Sequence, residues 1–264
     1  SLERAKAEIQ YLAKNAEYKV LSMADSNFGM YKQDLDICRE IASTMKSHNW
    51  PQGFEGMGGK NKKERVLEAT NIIGHTYISA AIQSTDEKVL KHVKRHNVSG
   101  QIMLDMVKEA KKKSESTSYS ELILGLPGDS KEGHIKSNLE LLDSDVDVVR
   151  SHQFIMLPSS PASTEVERIQ HGLVTKFRVV PKTVEAYKMF GEEFYAPEID
   201  EICVASKTLL FEDYLECRSF NLTVEMFYNN GIFEDLVKLL KSHGLKISLF
   251  VKEIHNEVKK SNKL

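Results

Sequence analysis

Asp25 and Asn27 directly follow the apolar run Tyr18 to Ala24. An ionised Asp25 can accept hydrogen bonds from an ammonium group, and the Asn27 amide can both donate and accept. Both residue types also cap turns, so ligand binding and local capping stand as alternatives. Gln83 and Ser84 follow Ala80-Ala81-Ile82. They offer donors and acceptors suited to ribose hydroxyls or a carboxylate, while Ser84 or Thr85 would equally cap a helix with Glu87 in support. The most distinctive stretch is Leu124-Gly125-Leu126-Pro127-Gly128-Asp129-Ser130. Gly125 ends an apolar run, Pro127 removes a donor and fixes φ, and Gly128 permits an open backbone. Such a turn exposes amide and carbonyl edges that a flat heterocycle such as adenine can read. A tight strand-to-helix turn capped by Asp129 or Ser130 explains the same residues. Ile155, Met156 and Leu157 can cover one face of a ring, or form an ordinary core strand, before Pro158 and Pro161 extend the chain. Gly56, Gly58 and Gly59 allow close backbone approach, or make a flexible loop.

Other chemistry-bearing residues point to blander roles. His92 and His96 stand four apart and could share a metal. Lys91, Lys94 and Arg95 around them favour a solvated basic face. His152 reads as a satisfied interior histidine. Cys38, Cys203 and Cys217 are odd in number and scattered, which argues against a disulfide framework or a zinc knuckle. No iron or zinc is expected on this chain. No nucleophile elbow, P-loop or dinucleotide fingerprint occurs.

The elements that must carry these residues alternate. Glu3 to Asn15 has helical spacing, and Tyr18 to Ala24 reads as a buried strand. A helix starts near Asp34 and breaks at His48 to Pro51; a weak strand follows at Gly53 to Gly58. Asn61 is a candidate cap for a helix through Ile72. His75 to Ile82 is β-rich, a short helix opens at Thr85 to Glu87, and Gln101 to Lys113 is amphipathic. Tyr119 to Leu124 reads as a strand, Ser130 to Leu142 as a helix and Val146 to Met156 as another strand. Five strands separated by helices predict βαβ units and a parallel sheet in chain order, as in a barrel or part of one. In such folds ligands gather at the carboxyl ends of strands, where Asp25, Gln83 and Gly125 stand. A barrel should open with a strand, so one appears to be missing in front. From Val184 onward the periodicity is read as mainly helical, including Ile199 to Cys217. The expected division is a barrel portion over 1–181 and a helical region over 182–264.

Composition narrows the function classes. Of 264 residues, 41% are hydrophobic and 28% charged, too apolar for disorder. The net charge of −2 gives no global attraction to nucleic acid or anionic membranes. The runs Lys60 to Arg65 and Lys108 to Lys113 read as solvated helix faces. No apolar run could span a bilayer, and Ser1-Leu2-Glu3-Arg4 is no signal peptide, so a cytoplasmic protein is expected.

The ordered set Ala24-Asp25-Ser26-Asn27-Phe28-Gly29, Gln83 to Leu90, Leu122 to Ser130 and Met156-Leu157-Pro158 resembles the radical S-adenosylmethionine enzymes. It looks most like the branch carrying a cobalamin-binding domain ahead of the barrel. The resemblance covers residues 1 to about 180. It implies a partial barrel that binds a [4Fe–4S] cluster and S-adenosylmethionine. Asp25 and Asn27 would then meet the methionine amino group, and Gln83 and Ser84 the ribose and carboxylate. Gly125, Leu126, Pro127, Gly128 and Asp129 would lie beside adenine, and Met156 and Leu157 at the sixth-strand contact. The family's three cluster cysteines would precede Ser1, and none of the cysteines present substitutes for them. The expectation is a fragment or degenerate homologue, inactive alone, binding S-adenosylmethionine weakly or not at all. The cluster and any cobalamin would belong to the complete protein. An unknown small substrate is expected, with neither nucleic acid nor membrane as partner. A non-catalytic adenosyl-binding module and an unrelated barrel lyase are the alternatives.

Overall fold

Apolar runs and amphipathic segments fold, in the computed structural model, into a five-stranded parallel sheet in the order β1-β2-β3-β4-β5. The strands are β1 Val20–Ser22, β2 Gly53–Met57, β3 Tyr77–Gln83, β4 Thr117–Leu124 and β5 Val148–Gln153. Helix α1 Leu2–Asn15 precedes them, and α2 Lys32–His48, α3 Lys63–Ile73, α4 Glu87–His92 and α5 Lys131–Leu142 intervene. The described residues are 1–25, 27–57, 62–74, 77–93, 105, 108, 117–144, 146–180 and 183–261. Ser26, the Gly58–Gly59 pair, Asn61, His96, most of the 101–113 segment and Pro181 lie outside them. The parallel order follows the sequence expectation.

Local chemistry sets the helix starts. Ser1 Oγ accepts from Arg4 N to cap α1. Asp34, expected to open α2, sits in its first turn and accepts from Gly29 N and Tyr31 N at 2.9 Å each. The cap of α4 is Asp86, whose Oδ1 accepts from Lys88 N at 2.8 Å, rather than Ser84 or Thr85. Ser130 Oγ accepts from Gly133 N at 3.1 Å and caps α5 as expected.

Buried clusters hold the helices on one face of the sheet. Ile9, Phe28, Cys38, Ile41, Trp50 and Phe54 close α1, α2 and α3 onto β2. Ile82, Leu122, Leu141, Leu142, Val149 and Phe220 join β3, β4 and β5 to α5 and a later helix. Each fully buried side chain of this size contributes about 1.5–3 kcal/mol.

The chain beyond β5 departs from the helical reading. After α6 Glu165–His171 come four strands: β6 Val174–Val179, β7 Glu185–Met189, β8 Glu192–Ala196 and β9 Ile199–Ala205. β6 pairs antiparallel with β9, and β7 with β8. Ile199, Ile202 and Cys203 mimic helical spacing, yet Cys203 N donates to Phe154 O at 2.9 Å and Met156 N to Glu201 O at 2.8 Å. Those bonds recruit the segment as a strand. Helices resume as α7 Phe211–Val224, α8 Glu234–Ser242 and α9 Ile247–Lys260.

A π-helical turn, Glu225–Asn229, continues α7 and lies along the outer side of β5. There the Asn229 amide accepts from Val149 N at 2.9 Å and donates to Val149 O at 2.8 Å. Tyr228 OH donates to Val146 O. Asn229→Ala strands both Val149 groups, so a loss of about 2 kcal/mol is expected. Urea denaturation measures it, and faster hydrogen exchange at the Val149 amide should accompany it; unchanged exchange there would count against this pairing.

Candidate functional site at the carboxyl edge of the sheet

Because all five strands run the same way, the residues after β1, β3 and β4 share one edge of the sheet. Asp25 and Asn27 follow β1, three strand spacings or ~14 Å from β4. Both are exposed, and Asp25 Oδ1 accepts from Asn27 N at 2.9 Å. Ser84 is buried, and its Oγ accepts from Asp86 N at 3.1 Å. These two side chains therefore bond to their own turns. Thr85 N and Oγ1 reach Ser137 Oγ at 3.2 and 3.0 Å, tying the end of β3 to α5.

Gln83 differs. It is 7% exposed, and its Oε1 is buried with no hydrogen-bond partner among the described residues. Its φ is 67°, the left-handed region that non-glycine residues enter uncommonly. A buried acceptor left unpaired costs about 1–3 kcal/mol. Strain and an unspent acceptor coincide at one strand-end residue, a combination typical of binding sites.

The turn after β4 is held from within. Gly125 has φ 90° and Gly128 φ 83°. Gly125 N donates to Asp129 Oδ2 at 3.2 Å, Ser130 N to Asp129 Oδ1 at 2.9 Å, and Asp129 N to Leu126 O at 2.9 Å. Leu126 and Pro127 are buried. His92 covers Gly128, since a Cβ there would lie 2.5 Å from its Nδ1. His92 also meets His171 edge to face, with centroids 5.5 Å apart, in a cleft of roughly 440 Å³ that includes Lys88 and Lys91.

Asp129 is 3% exposed, and burial pushes its carboxyl up to about 6, with Asp86 adding to the rise. His134 stands behind it, Nδ1 3.9 Å from Asp129 Oδ2 and Nε2 3.0 Å from Asn221 Oδ1. Burial lowers the His134 imidazole to about 4. The 3.9 Å approach is thus no ion pair: at neutral pH the imidazole is uncharged and too distant for a hydrogen bond.

Met156 and Leu157 diverge, Met156 buried and Leu157 60% exposed. His152 is no interior histidine: on β5 it is half exposed, and its Nε2 lies 3.2 Å from Glu121 Oε1. The sequence reading passed over Glu121 and Arg150. Their signal is a charged residue alternating with buried positions on two neighbouring parallel strands, which marks a face not enclosed by apolar side chains.

The three cysteines sit in α2, β9 and α7, all buried. Burial raises their thiols to about 12, 11 and 12 for Cys38, Cys203 and Cys217. Among the described residues no group of three metal-ligating side chains converges. No helix among them is long and apolar enough to cross a membrane.

In a parallel α/β sheet the loops along the carboxyl edge are where ligands usually bind. Comparison with known proteins narrows the reading. No family model matches the chain. It is 26% identical over 239 residues to a 2-(S-pantetheinyl)-carbapenam-3-carboxylate methyltransferase of Streptantibioticus cattleyicolor, covering 88% of this chain and 34% of that protein. It is 25% identical over 265 residues to the cobalamin-dependent radical SAM methyltransferase TokK of Streptomyces tokunonensis, covering 94% and 36%. Among solved structures it is similar to TsrM of Kitasatospora setae, a radical S-adenosylmethionine methyltransferase with cobalamin and a [4Fe–4S] cluster bound. The TM-score is 0.52 at 14% identity, over 70% of this chain and 34% of that one. The curated relatives it matches are methyltransferases, one of them a cobalamin-dependent radical S-adenosylmethionine enzyme, which accords with the resemblance carried by the loop motifs. It spans about a third of the length of the curated relatives it matches.

Proposed function

We propose that this chain is the S-adenosylmethionine-binding part of a cobalamin-dependent radical methyltransferase, its parallel sheet forming part of a (β/α) barrel. The observation that carries the reading is Gln83, a buried and strained strand-end residue whose acceptor is unpaired among the described residues. A ribose hydroxyl is the kind of donor that would satisfy it. In this reading Asp25 and Asn27 receive the methionine amino group, and Gln83 and Ser84 the ribose and carboxylate. The Gly125 to Asp129 turn presents its backbone to adenine, and Met156 and Leu157 supply apolar contact. Bound there, S-adenosylmethionine would supply the methyl and adenosyl groups of the reaction. The buried, separated cysteines do not fit a [4Fe–4S] ligand set. The division at residue 181 belongs to the same proposal; α7 and α9 packing on α5 ties the C-terminal region to the sheet.

The test is titration of the chain with S-adenosylhomocysteine by calorimetry or ligand-observed NMR. Binding near ~1 mM, about −4 kcal/mol, is expected. Gln83→Leu should weaken it at least tenfold while raising folding stability by about 1 kcal/mol, since it removes an unpaired buried acceptor. Binding that is undiminished in Gln83→Leu, or absent from the wild type, would refute the reading.

A further inference from the structure

Among the described residues the helices pack on one face of the sheet. Along β4 burial alternates, with Ser118, Ser120, Leu122 and Leu124 buried and the residues between them half-buried. Leu122 and Val149 enter the core beneath the helices. Tyr119, Glu121, Arg150 and His152 therefore occupy the opposite face. Parallel sheets are normally buried on both faces by apolar side chains, so charged groups here mark a surface built for a polar occupant.

Arg150 is exposed on β5, its Cζ 5.4 Å from the centroid of the Tyr119 ring. Its guanidinium has no ion pair among the described residues. The ring contact restrains the planar fork and leaves its donors outward, which suits bidentate binding of an anion. Two residues further along the same strand, His152 is engaged by Glu121. That contact engages the Glu121 carboxylate away from Arg150, whose planar guanidinium fork matches a planar carboxylate. The site lies just below the adenosyl loops. Phe154 N donates to Leu124 O at 3.0 Å beside Gly125, and Arg150 and His152 precede Phe154 by four and two residues, ~13 and ~7 Å.

We infer that Arg150, held over Tyr119 and flanked by the Glu121–His152 pair, binds the carboxylate of the substrate on the uncovered face of the sheet. This names a substrate class for the function proposed above and rests on that reading for its place beside an adenosyl group; the anion is tested independently. Ligand-observed NMR with benzoate, its neutral counterpart benzyl alcohol and inorganic phosphate separates the possibilities, with S-adenosylhomocysteine titrated into the same samples. Benzoate should saturate in the millimolar range and bind at least tenfold more weakly to Arg150→Gln, with Arg150→Lys intermediate. Benzyl alcohol should show no saturation, and phosphate should bind at least threefold more weakly than benzoate. Arg150 is exposed, so both variants should keep the wild-type melting temperature and S-adenosylhomocysteine affinity. Equal benzoate affinity in wild type and Arg150→Gln overturns the inference, as does benzyl alcohol binding as well as benzoate, or phosphate binding more tightly. Loss of S-adenosylhomocysteine binding with Arg150-dependent benzoate binding retained overturns the adenosyl reading alone.

Discussion

Gly125→Val is expected to lower folding stability by about 3 kcal/mol and to abolish saturable S-adenosylhomocysteine binding. Gly125 has φ 90°, and a Cβ built there lies 3.3 Å from the carbonyl oxygen of Cys203. A left-handed backbone costs an ordinary L-residue about 1–2 kcal/mol, and a β-branched one more. The obstacle is backbone on β9, itself bonded to Phe154, so it cannot swing aside as a surface side chain would. Overpacking against it adds roughly 1–3 kcal/mol. Gly125→Ala bears the conformational cost alone, about 1–2 kcal/mol. Urea denaturation of the three proteins tests the ladder. A valine variant within 1 kcal/mol of wild type would show that the turn is not fixed by its glycine.

A second large effect concerns pH, and it is hidden in the wild type. Asp129 titrates near 6 in the fold, above an unperturbed carboxyl near 4. Between those values the folded state binds the extra proton, so Asp129 alone makes stability fall as pH rises from 4 to 6. His134 titrates near 4, below an unperturbed 6.5. Here the unfolded state binds the extra proton, so His134 alone makes stability rise across nearly the same window. Each effect amounts to at most about 3 kcal/mol, and the two oppose. Around pH 5 the native pair holds one proton on Asp129, whereas the unfolded pair holds one on His134. The wild type should therefore be nearly flat over this window with respect to these groups. His134→Gln should expose a decline with rising pH, and Asp129→Asn an increase. Denaturation midpoints at half-unit pH steps would decide it; parallel curves for the two variants would sink the assignment.

The sheet was legible because its strands are short apolar runs set between amphipathic helices, and β1 to β5 fall within a few residues of where periodicity places them. The β6–β9 region was not. Ile199, Ile202 and Cys203 satisfy a helical period as well as a strand's, and only pairing with β6 and Phe154 decides between them. The β7–β8 turn carried a faint sign: Phe190 and Gly191 both take positive φ, 56° and 84°, as a two-residue hairpin demands, but phenylalanine is no usual turn former. At the site, the glycine turn and its capping residues could be read from residue type. The strain at Gln83 could not, because nothing in glutamine announces a left-handed backbone. Glu121 and Arg150 give no signal, and His152 reads as interior, wherever a parallel strand is taken to be enclosed on both faces.

Asn229 gives the sheet a polarity of growth. Its amide occupies both hydrogen-bonding groups of Val149 as one peptide unit of an added strand would, and Phe154 and Met156 are already engaged by β9. That margin behaves like the capped end of a filament. At the other margin β1 pairs with β2 alone among the described residues, and Val20 and Tyr18 are exposed beside it. An extended segment that pairs there, from this protein or another, would take its register from three residues, Val20, Leu21 and Ser22.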